Sequence, residues 1–402
     1  MPDFKKLPPL SLYVHLPWCE KKCPYCDFNS HVRRRAIPEV DYVRALLTDL
    51  ESGLGAIRHR RLHSIYLGGG TPSLFQAKTI AALLTGIRSR VATTSDVEVT
   101  LEANPGSADT VKFAGFCEAG VNRLSIGVQS FDPDKLARLG RIHGRQEALA
   151  AAQAAREAGF ANFNLDLMFG LPSQSLSGAL SDMQIAIDQG PSHISCYQLT
   201  VEPNTAFYHR PPQLPDHDLL GEMQAALDAR LADAGYARYE VSAYAPAAAQ
   251  CRHNRNYWEY GDYLGIGAGA HSKITVPGRV LRWQRPDQPE RYLHGAADDP
   301  LGLAHEVRGA DLDWEFMLNA LRLKAGVPAR AFFERTGRSL RHLDPILSKL
   351  KRSGLLCVDP ETLKTTDLGY RFLDDVVQRF LPTPGVAAPL VCGDQPDILN
   401  RC

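Results

Sequence analysis

Strand-like and helix-like segments alternate regularly through the first half of the chain, and this alternation limits the folds that are available to it. Short runs of β-branched and apolar residues predict strands at Leu10–His15, His63–Leu67, Val97–Ala103, Arg123–Val128, Asn162–Met168 and His193–Leu199. Helix-like segments lie between them, at Val40–Ile57, Thr79–Arg90, Ala108–Ala119, Gln146–Ala158 and Leu176–Gln189. Gly120 and Gly159 stand where a helix end is expected. These repeats predict an α/β fold with a parallel sheet. Because they are too few for a closed (β/α)8 barrel, we expect an open, partial (β/α)6 barrel.

The second half of the chain loses this alternation. Residues 236–305 are rich in Tyr, Gly, Pro and Trp, and we predict an irregular extension of the barrel there. The following segments predict a small winged-helix-like domain: three helices at Leu312–Leu323, Pro328–Thr336 and Arg341–Ser353, then a hairpin of Leu355–Val358 and Thr362–Thr365. A tail rich in Pro, Gly and Ala is expected to be disordered. The expected divisions are therefore 1–235 for the barrel, 236–305 for the extension, 306–382 for the small domain and 383–402 for the tail.

Charge and hydropathy exclude several classes of partner. Lys and Arg total 45 and Asp and Glu total 45, so no overall field attracts the chain to nucleic acid or to an anionic membrane. The predicted winged-helix segment is also balanced in charge, and we expect no nucleic-acid partner. No apolar stretch is long enough to be an integral membrane span, and Met1–Pro9 lacks the apolar core of a signal peptide. We therefore expect a cytoplasmic protein.

Three of the nine cysteines crowd into one loop directly after the first predicted strand. Cys19, Cys23 and Cys26 have the spacing C-x3-C-x2-C. In a reducing compartment such clustering indicates metal binding or catalysis rather than disulfides. Three thiolates on one loop can hold three irons of a cubane cluster and leave the fourth iron open to a ligand. The alternative is a structural zinc site with His31 as the fourth ligand, although such sites usually have paired C-x2-C knuckles and no second knuckle is present.

Polar residues and glycines stand at the ends of the next strands, where the ligand sites of parallel sheets gather. Gly68–Thr71 follows the second strand, and consecutive glycines let the backbone approach a ligand closely. The third strand ends at Glu102 and the fourth at Gln129, and Arg141 in the next loop can pair with a carboxylate. Asp166 interrupts the apolar fifth strand, where a buried carboxylate is costly unless it has a partner. Together these positions predict one ligand site.

The cysteine spacing after a first strand resembles the signature of the radical SAM superfamily. The resemblance implies that Cys19, Cys23 and Cys26 hold a [4Fe–4S] cluster whose open iron binds the amino and carboxylate groups of S-adenosylmethionine (SAM). It also implies that the reduced cluster passes one electron to the SAM sulfonium. Carried over position by position, the family's SAM contacts are Tyr13, Tyr25, Gly69, Gly70, Thr71, Glu102, Gln129, Arg141 and Asp166.

Within the superfamily, the motifs resemble the branch of the oxygen-independent coproporphyrinogen III dehydrogenases and the HemW-type heme chaperones. The dehydrogenases carry a further cysteine two residues after the third ligand, where this chain has Phe28. The segment His253-Asn-x-x-Tyr257-Trp258 resembles the heme-binding motif of the chaperones. Histidine is a heme-iron ligand, and Tyr and Trp rings can stack on a porphyrin. A surface histidine beside two ordinarily packed aromatic residues fits the composition of this segment as well.

These features favour a heme chaperone that binds heme and passes it to acceptor proteins, respiratory ones among them. The cluster and SAM would control that transfer or serve the formation of a homodimer. The alternative is a coproporphyrinogen III dehydrogenase that acts by radical oxidative decarboxylation. No catalytic residue is assigned, and whether the chain is an enzyme stays open.

Overall fold

The computed structural model describes residues 7–107, 110–295, 298 and 300–382. Within them the strands, in chain order, are β1 (Leu10–Leu16), β2 (Trp18–Cys19), β3 (His31–Val32), β4 (Leu62–Gly69), β5 (Thr93–Ala103), β6 (Arg123–Gln129), β7 (Phe163–Phe169), β8 (His193–Gln198), β9 (Ala243–Tyr244), β10 (Asp262–Ile266), β11 (His271–Val276), β12 (Arg279–Gln284), β13 (His305–Val307), β14 (Val327–Pro328) and β15 (Thr362–Leu363). Eleven of them form one sheet in the order β13-β12-β11-β10-β1-β4-β5-β6-β7-β8-β9.

The helices surround this sheet and continue beyond it. In chain order they are α1 (Glu39–Ile57), α2 (Ala77–Arg90), α3 (Thr110–Glu118), α4 (Pro133–Arg138), α5 (Arg145–Glu157), α6 (Leu176–Asp188), α7 (Ala206–His209), α8 (His217–Asp233), α9 (Arg252–Trp258), α10 (Pro289–Gly295), α11 (Gly309–Ala320), α12 (Arg330–Thr336), α13 (Asp344–Arg352), α14 (Asp367–Arg371) and α15 (Leu373–Gln378). In the described part of the chain, every helix is too short or too polar to cross a bilayer.

The predicted parallel sheet is confirmed. Strands β1, β4, β5, β6, β7 and β8 are neighbours, and each pair runs parallel. Helices α1, α2, α3, α5 and α6 connect successive strands, as the strand–helix alternation predicts. Gly120 (φ 99°) and Gly159 (φ 88°) follow α3 and α5 in the left-handed conformation that ends a helix most readily at glycine.

The two faces of the parallel strands differ in chemistry because successive side chains of a strand point to opposite faces. Leu12 and Val14 of β1 lie on the outer face, in the large apolar core with the helices. Ser11, Tyr13 and His15 alternate with them and lie on the inner face. The parallel register continues this polar inner face across the sheet, in rows such as Tyr13, Tyr66, Thr100 and Arg123. The outer face therefore stabilises the fold, and the inner face supplies polar groups.

The prediction of an irregular extension at residues 236–305 is wrong. This segment contains α9 and most of a four-stranded continuation of the sheet, in which β10 runs parallel to β1 and β11, β12 and β13 add antiparallel strands. These strands are short and separated by glycine-rich turns, so their sequence carries little periodicity. Their pairing begins at β1, which is about 250 residues away in the sequence, and no local pattern predicts such a partner.

The C-terminal segment has its own apolar core around α11, α12 and α13. The three predicted helices are found there, the third beginning as a 3₁₀ turn at Leu340–Leu343. The predicted hairpin is only partly correct, because β15 pairs with β14 and Leu356 makes a single bridge to Thr365. The expected division of the chain into domains stays a prediction, and the tail at 383–402 lies outside the described residues.

A buried ion pair joins α1 to the end of β12. Arg285 Nε donates to Asp49 Oδ1 at 2.8 Å, and both residues are 2% exposed. Asp49 also accepts hydrogen bonds from the Tyr292 hydroxyl (2.8 Å) and from Gly267 N (3.1 Å) in the turn after β10. This carboxylate therefore ties the added strands to the first helix of the barrel.

We expect Asp49→Asn to lower the free energy of unfolding by about 3–5 kcal/mol, because it leaves the Arg285 charge buried without its counter-charge. Urea denaturation of the full chain measures this. The matched control is Arg44→Ala, which breaks an exposed pair with Asp41 and should cost about 0–1 kcal/mol. Equal effects of the two substitutions would contradict the role of Asp49.

Candidate metal and cofactor site

The three cysteines lie on one loop that leaves the carboxyl end of β1. The short parallel pair of β2 and β3 closes the base of this loop. Gly70 N donates to the Leu16 carbonyl at 2.9 Å, and Thr71 N donates to the Trp18 carbonyl at 2.8 Å. The loop is therefore attached by its backbone to the glycine-rich turn that follows β4.

Each cysteine sulfur lies beside at least one polar side chain. The pairs are Cys19 Sγ with Thr71 Oγ1 at 3.5 Å, Cys23 Sγ with Arg141 Nη1 at 3.7 Å, and Cys26 Sγ with Ser30 Oγ at 3.7 Å. Burial raises the pKa of Cys19 to about 11 and also raises the pKa of Cys26. Because a metal-bound cysteine has lost its proton, coordination would turn these sulfurs into acceptors for the neighbouring donors.

A cavity of about 370 Å³ opens beside the cysteine loop. Cys23, Thr71 and Arg141 line it, together with Asn104 and Gly106 from the segment after β5. These residues follow the carboxyl ends of parallel strands, where ligands bind in folds of this kind. Three sulfurs on one loop, one of them facing such a cavity, fit a cubane cluster whose fourth iron takes a ligand.

His31, the fourth ligand of the alternative zinc site, is engaged elsewhere. Its Nε2 lies 2.9 Å from Asn29 Oδ1 and 3.2 Å from the Asp287 carbonyl. The imidazole is thus part of a hydrogen-bond network behind the loop, and this arrangement disfavours the zinc hypothesis.

Two glycines, the last residue of β4 and the first residue after it, are required by the backbone geometry. A Cβ atom at Gly70 would lie 2.6 Å from the Trp18 carbonyl oxygen, so the cysteine loop itself demands a glycine there. Gly69 has a φ of 124°, which side chains rarely adopt, and its N–H donates to Glu102 Oε2 at 3.0 Å. The sequence predicts that these glycines let a ligand approach closely. The structure gives a second reason for them, because the backbone of the cysteine loop also approaches them.

Glu102 lies at the carboxyl end of β5 and accepts two hydrogen bonds. The donors are Gly69 N and the Tyr66 hydroxyl, the latter at 2.9 Å. The pKa of Glu102 is raised to about 7, because burial and, to a lesser extent, the nearby charge of Asp166 outweigh the opposing effect of the two hydrogen bonds. The carboxyl group therefore changes its charge near neutral pH and could bind an ammonium group.

Three more of the predicted SAM contacts lie beside the cysteine loop: Arg141, Gln129 and Tyr25. Arg141 Nη2 donates to the Gly127 carbonyl at 2.6 Å, and its guanidinium also hydrogen-bonds Tyr25. Gln129 ends β6 with a φ of 68°, an uncommon conformation for a residue other than glycine and one that recurs at functional sites. The guanidinium is thus positioned from two directions beside Cys23.

Asp166 and Tyr13 lie deeper on the inner face. Asp166 accepts hydrogen bonds from Ser125 Oγ (2.9 Å) and Asn164 Nδ2 (2.8 Å), so its buried carboxyl group has the partners that its position requires. The Tyr13 hydroxyl lies 2.9 Å from His15 Nδ1. Thr71 and Arg141 thus contact cysteine sulfurs, whereas these partners of Asp166 and Tyr13 are residues of the barrel strands.

His253 is at the amino end of α9, inside the barrel, and is 2% exposed. Its ring stacks on Tyr66 at 4.8 Å, and its Nδ1 lies 3.1 Å from Ser64 Oγ. Its Nε2 is buried and has no hydrogen-bond partner among the described residues. Burial lowers the pKa of His253 well below its usual value, and the nearby charges of His63 and Arg123 lower it further, so the imidazole is neutral, the form that binds iron.

Tyr257 and Trp258 take different positions on the same helix. Tyr257 lies close to His253 and to Tyr263, with ring centroids at 5.1 Å and 4.4 Å. Trp258 is 2% exposed, belongs to the C-terminal apolar core, and has the Arg322 guanidinium 4.2 Å from its ring centroid. His253 is therefore not a surface residue, which is the alternative that the composition of this segment allows. Trp258 packs between the barrel and the C-terminal segment.

Two residues of the site were missed by the sequence reasoning. Tyr66 contacts both His253 and Glu102, and Ser30 contacts Cys26. The alternation of β4 could have placed Tyr66 on the face of Ser64 and Gly68. For Ser30 no periodic signal exists, because it lies in a loop.

Two family models match the chain. The radical SAM superfamily model matches residues 13–183, and the HemN C-terminal domain model matches residues 313–372. A solved structure of similar fold is coproporphyrinogen III oxidase (HemN) from Escherichia coli, with a TM-score of 0.78, 22% identity, and coverage of 93% of this chain and 90% of that one. The fold and the cysteine loop thus define a radical SAM protein.

Relatives of similar sequence identify the family within this superfamily. The proteins named heme chaperone HemW from Haemophilus influenzae and Escherichia coli are each 46% identical to this chain, over 94% of it and 99% of their own length. The HemW protein of Bacillus subtilis is 34% identical over 92% of this chain and 99% of its own. The chain belongs to the HemW family of the radical SAM superfamily. The superfamily implies a [4Fe–4S] cluster and SAM, and the three cysteines with their cavity fit both.

We expect the SAM affinity of the reconstituted protein to rise by roughly threefold to tenfold from pH 6 to pH 8. Burial raises the pKa of Glu102 to about 7, so its carboxyl is mostly neutral at the lower pH and ionised at the higher one, where it would accept hydrogen bonds from the amino group of SAM. Anaerobic equilibrium dialysis measures the affinity. Glu102→Gln should reduce the rise to the part that comes from proton loss by the SAM amino group, and Glu157→Gln, at an exposed position, should keep the full rise. An equal rise in the wild type and in Glu102→Gln would refute the assignment of Glu102.

Proposed function

We propose that this chain is a heme chaperone, which binds heme and transfers it to acceptor proteins. The observation that carries the proposal is the 46% identity to HemW proteins over 94% of the chain and 99% of theirs. Acceptor proteins follow from this role, and we include respiratory proteins among them. A homodimer and a cytoplasmic location remain predictions from the sequence.

In this proposal Cys19, Cys23 and Cys26 hold the cluster, which when bound supplies an open iron for SAM and an electron for its sulfonium. Arg141 pairs with the SAM carboxylate, and Glu102 accepts hydrogen bonds from the SAM amino group. Thr71, Gly69, Gly70, Gln129, Tyr25, Tyr13 and Asp166 complete the proposed set of SAM contacts. The hydrogen bonds of Arg141 to Gly127 and Tyr25 support this arrangement, because they hold the guanidinium at the cavity wall.

The dehydrogenase alternative is not favoured. The dehydrogenases have a cysteine at the position of Phe28, and phenylalanine can neither ligate iron nor transfer a proton. The likeness to coproporphyrinogen III oxidase concerns the fold, since identity is 22%. We therefore expect no decarboxylation of coproporphyrinogen III.

For heme, we propose that His253 is an axial ligand that becomes available when α9 moves out of the end of the barrel. A neutral imidazole whose Nδ1 is held by Ser64, and whose Nε2 has no hydrogen-bond partner in the described part of the chain, has the donor chemistry that iron requires. Because His253 is buried, α9 must move before the imidazole can reach the heme iron. Tyr257 would then offer a ring to the porphyrin, and Trp258 would have to leave the C-terminal core to do the same.

The function is tested by parallel assays on one anaerobically reconstituted preparation. We expect added hemin to give a protein-bound Soret band, the hemin to move to an apo-acceptor protein, and coproporphyrinogen III to remain unchanged with SAM and a reductant. The triple variant Cys19→Ala, Cys23→Ala, Cys26→Ala should lose about four irons and four sulfides but still bind hemin. Product formation from coproporphyrinogen III would restore the alternative. Hemin uptake no better than that of a control protein of similar composition would remove the chaperone proposal.

We expect His253→Ala to weaken hemin binding by at least about tenfold and to shift the Soret band, since removing even a partner of a metal ligand commonly has an effect of this size. Hydrogen exchange in α9 should increase when hemin binds to the wild type. The matched control is His271→Ala, in the nearby β11, which should bind hemin as the wild type does. If His253→Ala is unchanged and His271→Ala loses binding, the ligand is His271 instead.

A further inference from the structure

The segment that follows the third cysteine is held by a residue with no assigned role. Asn29 Nδ2 donates to the Ala268 carbonyl and to the Asp287 carbonyl, both at 2.9 Å. The Asn29 carbonyl lies 2.8 Å from His15 Nε2. A Cβ atom at Gly269 would come within 2.3 Å of Asn29 Nδ2, so the turn after β10 closes tightly on this side chain. The backbone that leads away from Cys26 is therefore fixed in position.

Ser30 is the next residue, and its side chain turns back to the cysteine loop. It is 6% exposed, and its N–H donates to the Phe28 carbonyl at 2.7 Å. Its Oγ lies 3.7 Å from Cys26 Sγ. In the thiol form of Cys26 either group could donate. A cysteine bound to iron has no proton, so the serine hydroxyl must then be the donor.

Ser30 differs from the donors at the other two sulfurs. Thr71 and Arg141 line the cavity that would take SAM, so changing them would alter SAM binding together with the cluster. Ser30 does not line that cavity. Its neighbour Asn29, rather than the cavity wall, fixes its position, and its effect on the cluster can be measured separately from SAM binding.

We propose that Ser30 is a positioning residue that sets the reduction potential of the cluster through a hydrogen bond from its hydroxyl to the Cys26 thiolate. Reduction adds one negative charge to the cluster and its sulfurs. A hydrogen-bond donor stabilises that charge and so raises the potential, which is one of the ways in which a protein tunes an iron–sulfur cluster. The proposal rests on the cluster held by Cys26 and is independent of whether heme is bound.

The test is a redox titration of the anaerobically reconstituted full chain without SAM, followed by electron paramagnetic resonance of the reduced cluster. We expect Ser30→Ala to have a more negative midpoint potential than the wild type at equal iron content. The matched control is Ser272→Ala, which removes a buried hydroxyl that bonds to Gly265 N at 2.9 Å and should leave the potential unchanged.

A second pair of variants covers the case in which Ser30→Ala loses the cluster. Ser30→Thr and Ser30→Val have side chains of the same shape, and only the first keeps the hydroxyl. The threonine variant should stay near the wild-type potential and the valine variant should fall below it. Equal midpoints for the wild type and Ser30→Ala, or for the threonine and valine variants, would overturn the proposal. A wild-type preparation that holds no four-iron cluster would instead refute the cofactor assignment.

Discussion

Strand β1 is paired in parallel on both sides, with β4 and β10, and the rest of the site depends on this pairing. The register brings Leu16 opposite Gly69, so that the turn after β4 meets the cysteine loop backbone to backbone. A slip of one residue would turn Tyr13 outward onto the helices and draw the loop away from that turn. The pairing that forms the core of the sheet therefore also positions the cluster loop.

The inner face of the sheet links the two ends of the barrel. Glu98 accepts the backbone N–H groups of Arg252 and His253, and so holds α9 in the amino end. The His253 ring stacks on Tyr66, whose hydroxyl donates to Glu102 at the opposite end. Movement of α9 would thus expose one face of the Tyr66 ring. Tyr66 is the hydrogen-bond partner of Glu102, whose carboxyl group is proposed to bind SAM. This contact is a physical route by which the heme motif and the SAM site can influence each other.

Much of the barrel could be predicted because its signals are local. Strands β1 and β4 to β8 follow from short apolar runs between helices, and the glycine stops after α3 and α5 follow from the preference of glycine for positive φ. The strands from β10 to β13 could not be predicted, because they are short and their partner β1 is distant in the sequence. The second strand of the expected C-terminal hairpin pairs with the distant β14 and makes only a single bridge to its neighbour, for the same reason.

The sequence by itself determined the cysteine loop, the parallel sheet beneath it and the polar residues at the strand ends, since spacing and periodicity are properties of neighbouring residues. Only the tertiary structure decided which donor reaches which sulfur, and that His253 is enclosed in the barrel while Trp258 packs in a second core. Ser30 and Tyr66 gained their contacts in the same way. Such contacts join residues from separate strands and loops, and their distances are set by the packing of the whole sheet and its helices rather than by any local preference of the chain.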